Sequence, residues 1–449
     1  MDGYVVLILL MVSVAIMIYL TGKIKINAFL VLLVISLFMG VASGIGMTQT
    51  VNTVAKGFGD TMQSIGIVIA LGTIIGKVLE RSGGAIAMAE SILRRIGKKR
   101  VPEAMSMIGY IISIPVFCDS GFIIVSPLNK ALSNLSGFSL AVTSIALSTG
   151  LYATHTLVPP TPGPIAAAGN LGADLGLVIG LGLLVSVPAA CAGLLYARKV
   201  GSKIWVEPKT EITYEEYLKK FGKLPSAKWA FASIIVPVIL IVLKSVAEFP
   251  TKPFGTGIHT DFLSFIGNPI LALLIGVLIS LKLVPKLDES IYGPESWIGD
   301  ALKEGAMILL ITGAGGSFGS VIRATGVGDY ISGALSDLGM NGLIVAFIIA
   351  ALIKTSQGSS TVSLITTSAI MASLLPALGL ATTSGKVLTT LAIGAGSMVV
   401  SHANDSYFWV VTLYSNMDTV KGYKLQTGAT LVEGLAAIAM VMLLSVFLI

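Results

Sequence analysis

Apolar runs follow one another through the chain, near residues 4–20, 26–42, 62–80, 104–117, 138–153, 175–197, 229–247, 262–281, 305–322, 342–353, 384–400 and 428–448. No other feature limits the fold as strongly. A hydrocarbon core about 30 Å thick takes ~20 helical residues to cross, so there is room for roughly ten crossings or more. Charged residues make up 12% of the 449, against about 25% in soluble domains. Mean hydropathy is +0.91. A water-soluble enzyme is excluded. The runs are continuous and do not alternate over ~10 residues, which excludes an outer-membrane β-barrel. The expected fold is an all-α polytopic membrane protein. The first run, MDGYVVLILLMVSVAIMIYL, lacks a basic start and a small-residue cleavage site, so it reads as a retained span.

The net charge of +6 matters less than its placement. Basic residues cluster at Arg94, Arg95, Lys98, Lys99 and Arg100, at Arg198, Lys199 and Lys203, and at Lys219, Lys220, Lys223 and Lys228. Short basic loops mark the cytoplasmic face, a better reading than nucleic-acid binding. Cys118 and Cys191 lie in apolar surroundings and suggest no disulfide framework. The one long polar insert, 198–228, carries both signs of charge and reads as a cytoplasmic linker between repeats at 1–197 and 229–449.

The two halves match in order. Gly72 to Gly76 answers Gly315 to Gly319, Ile114 to Ser120 answers Ile353 to Ser359, and Thr154-His155 answers Ser401-His402, at offsets of 239–247 residues. Lys23 and Lys25 set the end of the first span inside. Counting spans from there makes the Gly72 run point inward and the Gly315 run outward. Equivalent helices in opposite directions form an inverted repeat, a common plan among secondary transporters.

Lipid cannot satisfy free backbone groups, so breaks at membrane depth survive only beside a cavity. Four breaks are expected, two in each half. A re-entrant hairpin is placed at about 115–133, around Pro115, Asp119, Ser120 and Gly121, and its counterpart at about 355–376, around Thr355, Ser356, Gln357, Gly358, Ser359, Ser360 and Thr361. The second pair of breaks holds Thr154, His155, Thr161 and Gly163 in one half, and Ser401, His402, Asn404 and Asp405 in the other. Pro159, Pro160, Pro162 and Pro164 cannot all sit inside helix. These residues are the candidate solute site. An acid at membrane depth is expensive unless it has a task, which makes Asp119 the first candidate for a proton carrier, followed by His155, His402 and Asp405. Lys354 suits either a substrate carboxylate or snorkelling to the interface. Zinc needs three or four ligands and no thiolate accompanies His402 and Asp405, so no metal or other cofactor is expected. The glycines at 72, 76, 315 and 319 read as packing residues.

The same segments resemble the gluconate permease family, proton-coupled carriers of gluconate, related hydroxy acids and amino acids such as D-serine. Pro115-Val116-Phe117 with Asp119, Gly121 and Phe122 matches one family motif. His155 before Pro159, Pro160, Pro162, Gly163 and Pro164 matches a second, with Thr161 replacing the motif's histidine. Gln357-Gly358-Ser359-Ser360-Thr361-Val362 and Ser401-His402, Asn404-Asp405-Ser406 and Phe408-Trp409 match two more, with Lys354 where relatives often carry Arg. The resemblance implies a homodimer in a bacterial cytoplasmic membrane, inverted repeats with two re-entrant hairpins, and an elevator-type movement. It implies symport of a small organic acid with protons, sodium being the alternative ion and a small amino acid the alternative cargo.

Overall fold

The computed structural model describes residues 3–97, 100–208, 224–248, 253–326, 341–402 and 405–449. Most of the expected linker, from 209 to 223, lies outside them, as does Asn404. The described residues are helical, as the continuous apolar runs require. The first half contains α1 (Gly3–Ile18), α2 (Ala28–Ala42), α3 (Met47–Arg81), α4 (Gly84–Ile96), α5 (Val101–Ile112), α6 (Cys118–Ser136), α7 (Leu140–Leu157), α8 (Pro162–Leu171) and α9 (Leu175–Lys199). The second contains α10 (Ala227–Ala247), α11 (Ile258–Ile266), α12 (Pro269–Ser280), α13 (Glu289–Tyr292), α14 (Trp297–Ala324), α15 (Gly342–Gln357), α16 (Ser360–Leu374), α17 (Thr383–Met398), α18 (Ser406–Tyr414), α19 (Thr419–Gly422) and α20 (Gly428–Leu448).

Polar residues at the starts of these helices explain where they begin. Side chains of Asn27, Ser139, Asp174, Asn268, Ser296, Asn341 and Thr382 each accept an amide of the following first turn. Four helical stretches among the described residues are long and apolar enough to cross a membrane: Leu175–Lys203, Ala227–Ala247, Glu289–Ala324 and Thr419–Leu448. The bent pair Ile258–Ile266 and Pro269–Leu283 turns by 62° at its break. Other apolar helices, including Val101–Ile112, Gly342–Ser356 and Ser360–Leu374, have 10–17 residues and fall short of a full crossing. Large apolar side chains such as Ile8, Leu184, Val187, Leu195, Ile239 and Leu443 stay exposed, as a lipid-facing surface requires.

Each half presents one order: a long helix, a helix pair across a break, a helix broken into a long and a short piece, and a final long helix. In the first half these are α3, then α5 and α6 across 113–117, then α7 and α8 across 158–161, then α9. In the second they are α14, α15 and α16 across 358–359, α17 and α18 across 399–405, and α20. Long helices α3 and α14 lie antiparallel. Arg81 pairs with Asp300 at 2.7 Å and Lys77 with Glu304 at 2.5 Å near one end, while Ser317 donates to the Val54 carbonyl at 2.8 Å further along. The short pieces cross over: α8 packs on α16 and α18 packs on α6. The breaks of the two halves are thereby brought together in the interior.

The prolines divide differently from a simple unwound run. Pro159 and Pro160 occupy the break, joined by a cis peptide, but Pro162 and Pro164 stand in the first turn of α8. First-turn amides have no partner inside the helix, so proline costs little there. His155 and Thr154 likewise lie in the last turn of α7, not in unwound chain.

Candidate functional site

Four helix N-termini surround one stretch of α7. Those of α6 and α18 meet where Ser406 Oγ donates to Asp119 Oδ1 at 3.2 Å. Those of α8 and α16 meet at Gly163: a Cβ there would come within 2.7 Å of Leu364 Cδ1 and 3.6 Å of Thr361 Cα. Between the pairs stand Tyr152 and His155, three residues apart on α7, their rings stacked at 6.4 Å and 10°. Phe117, the residue before α6, lies 6.1 Å from the His155 ring, and the Tyr407 ring of α18 lies 5.1 Å from Tyr152. Helix N-termini carry unsatisfied amides and partial positive charge. Ser359 caps α16 through the Val362 amide, and Asp405 caps α18 through the Tyr407 amide at 3.0 Å. The starts of α6 and α8, at Phe117 and Thr161, have no side-chain cap.

A buried ion pair ties the second half's two breaks together. Lys354 has 0% exposure and Asp405 4%. Lys354 Nζ donates to Asp405 Oδ2 at 2.6 Å and to the Gly358 carbonyl at 2.7 Å, and Ser401 Oγ donates to the same carboxylate oxygen at 2.5 Å. Asp405 is therefore filled by one cation, one hydroxyl and one amide. Lys354 does not snorkel, because its ammonium ends on the carboxylate and the carbonyl that follow its own helix. Gly358 makes this turn possible: its φ of +87° is a left-handed conformation that suits glycine. His402 Nε2 donates to the Thr355 carbonyl at 2.8 Å, a second strap between the same two breaks.

The remaining candidate residues divide between contact and scaffold positions. Thr161 Oγ1 donates to the His155 and Val158 carbonyls at 3.0 and 2.8 Å, closing the break in the first half. Thr154 Oγ1 donates to the Tyr110 carbonyl at 2.9 Å, holding α7 to α5. Ser356 Oγ donates back to the Leu352 carbonyl at 2.7 Å. Gly121 packs under Leu151, where a Cβ would approach within 2.7 Å. Ser120 and Thr361 are partly buried and Ser360 is buried, in the first turns of α6 and α16. Gln357 closes α15. His155 is buried, and its Nδ1 has no hydrogen-bond partner among the described residues.

Packing glycines bring helix backbones against these breaks. A Cβ on Gly72 would meet the Pro160 carbonyl at 3.0 Å, and one on Gly76 the Pro115 carbonyl at 2.6 Å, so α3 lies directly on both breaks of its half. Gly315 and Gly319 lie against Ile365 and Ala369 of α16. No group of three or more His, Cys, Asp or Glu suited to a metal occurs among the described residues. Tyr152, the ring between the two pairs of N-termini, was not singled out by sequence pattern. Its spacing of three from His155 on one helix was the available signal.

The arrangement can hold a small polar solute among helix ends and hydroxyls. The chain has the fold of the Alcanivorax borkumensis YdaH transporter, whose crystal structure it matches with a TM-score of 0.65 over 90% of each chain at 13% identity. It is 34% identical to a gluconate permease of Pseudomonas aeruginosa over 100% of this chain and 99% of that one. It is 31% identical to the D-serine transporter DsdX of Escherichia coli K12 over 97% of each. The family pattern described as GntP family permease matches residues 5–447, and on that match the chain belongs to the GntP permeases, multi-pass transporters of the bacterial inner membrane and not enzymes.

Proposed function

We propose that this permease is a secondary transporter that moves a small hydroxylated carboxylate inward together with protons. The observation that carries the reading is the pair of uncapped helix starts at α6 and α8 beside His155. The positive dipole ends of both helices, with the Gly163 amide standing between two prolines that lack an N–H, favour a carboxylate. The P. aeruginosa relative is a gluconate permease and the E. coli relative a D-serine transporter. Both compounds carry a carboxylate next to hydroxyl or amino substituents.

In this reading the carboxylate sits at the amides of Asp119 and Ser120 and of the chain entering α8 at Thr161 and Gly163, while Gly121, its amide on the Phe117 carbonyl, shapes the tip. Hydroxyl groups of the cargo meet the second tip, Thr355 to Thr361, and the break that begins at His402, which Asp405 holds in shape through Lys354 and Ser401. Asp119 is the group at the tip that exchanges protons, with His155, His402 and Asp405 around it. Repeats 1–197 and 229–449 are related by inversion, and a homodimer with an elevator-type movement of the hairpin and broken-helix elements would expose the site to each side in turn.

Purified protein in liposomes preloaded with unlabelled compound tests the cargo class by exchange with external labelled compound. Gluconate, glycerate and D-serine form the panel, at equal pH and without sodium. Exchange of a hydroxy acid above that of empty liposomes supports the proposal. Exchange of D-serine alone would make the cargo an amino acid, and exchange that requires sodium would replace the proton with sodium.

A further inference from the structure

Glu433 is a buried acid that the site described above does not use. It is the one charged residue of α20, with 0% exposure, and neither carboxyl oxygen has a hydrogen-bond partner among the described residues. An ionised carboxylate taken out of water without a partner costs several kcal/mol, so this packing fits the neutral acid. Polar groups lie close by in the same apolar layer. Ser148 Oγ of α7 donates to Gln426 Oε1 at 2.8 Å, Tyr407 Oη donates to the Ser148 carbonyl at 2.9 Å, and Gln426 Nε2 is itself buried without a partner. Gln426 belongs to a π-helical turn, Tyr423–Thr427, an irregularity that recurs at functional sites.

The elements packed on α20 are α7, α9, α15, α17 and this π turn. Tyr152 stands on α7, and Tyr407 of α18, whose ring lies 5.1 Å from it, donates to α7 at the Ser148 carbonyl. Among the described residues no side chain hydrogen-bonds to either Glu433 oxygen, Lys354 of α15 being committed to Asp405. The Tyr407 ring also meets Phe122 of α6 edge-on at 6.3 Å, near the hairpin tip. The chain around α20 also grips the second break. The Ser401 amide donates to Thr430 Oγ1 at 3.0 Å, one turn before Glu433, and Thr427 Oγ1 donates to the Ser401 carbonyl at 2.5 Å. Ser401 in turn holds Asp405.

We propose that Glu433 is a second proton-holding group of transport, behind Asp119 at the hairpin tip: it is neutral while α20 is packed as described, and its ionisation loosens the grip of α20 on Ser401 and the Lys354–Asp405 pair. The proposal rests on the proton-coupled reading above. The step is a proton transfer alone: a carboxyl O–H bond forms with a proton from external water and breaks with release to water on the cytoplasmic side.

Two measurements on reconstituted full-length protein test it. Infrared spectroscopy at neutral pH should show a neutral-carboxyl C=O band that resists deuterium exchange and is missing in Glu433→Gln; a spectrum with no band lost in that variant would overturn the proposal. In liposomes given the panel compound that the wild type exchanges, Glu433→Gln should keep exchange at equal pH and accumulate at least tenfold less under an inward proton gradient. Wild-type accumulation by the variant would overturn the proposal. If Glu433→Gln loses exchange as well, Glu433→Asp should restore accumulation with a displaced pH profile, and a folded but inactive Glu433→Asp would make the residue structural. A wild type driven by sodium and indifferent to protons would defeat the proton reading itself, a result separate from any behaviour of the Glu433 variants.

Discussion

Lys354 and Asp405 are both buried, and among the described residues each is the other's only opposite charge at hydrogen-bond distance. Removing one strands the other, which costs about 3–5 kcal/mol, whereas replacing both costs far less. Lys354→Ala is therefore expected to lower the thermal midpoint in detergent sharply, while Lys354→Met combined with Asp405→Asn restores most of the midpoint but not uptake. A single variant as stable as the wild type would show that the pair is not the strap between the two breaks. At this scale the sequence was legible wherever polarity interrupted an apolar run: Asp119, His155, His402 and Asp405 all stand out. Partner choice was not legible. Nothing local tells Lys354 to turn inward to Asp405, 51 residues on, or sets the Tyr407 ring against Tyr152. Glu433 was visible as the sole acid of the last run but had no repeat partner or motif to draw notice.

Among elements, the hairpin arm α5 is held to α7 through two glycines. A Cβ on Gly150 would reach the Ser106 carbonyl at 2.1 Å, and one on Gly109 the Leu147 carbonyl at 2.4 Å. Backbone lies on both sides, so neither helix can yield locally. Gly150→Ala is expected to cost about 1–3 kcal/mol or more through overpacking and to reduce uptake with it. Gly180→Ala, which meets nothing within 4 Å, should leave both unchanged. Thermal unfolding of the two variants side by side decides the matter, and equal midpoints would contradict the close crossing. Runs too short to span pointed to helix pairs, but the hairpins expected at about 115–133 and 355–376 take in mainly α6 and α16, the other arms, α5 and most of α15, lying before those bounds. The limits of the breaks did not follow so closely. Asp119 falls inside the first turn of α6, not in the turn itself, and Pro162 and Pro164 start α8, because proline is a barrier to a helix interior but not to its first turn.

For the whole molecule, the antiparallel packing of α3 and α14 agrees with the orientation deduced from basic loops. Impermeant maleimide on intact cells checks this, in a background lacking exposed Cys191. A cysteine at exposed Ala324, the last residue of α14, is expected to react from outside, and one at exposed Ser202, after α9, only once the membrane is opened. The opposite pattern would reverse the topology. The central claim remains that cargo and protons cross together. Internal pH of sealed proteoliposomes, followed by a trapped dye when a panel compound is added outside at matched pH and zero voltage, tests it most directly. The account predicts internal acidification in step with uptake in the wild type, and none in Asp119→Asn or in empty liposomes. Uptake without acidification, or acidification unchanged in Asp119→Asn, would contradict it.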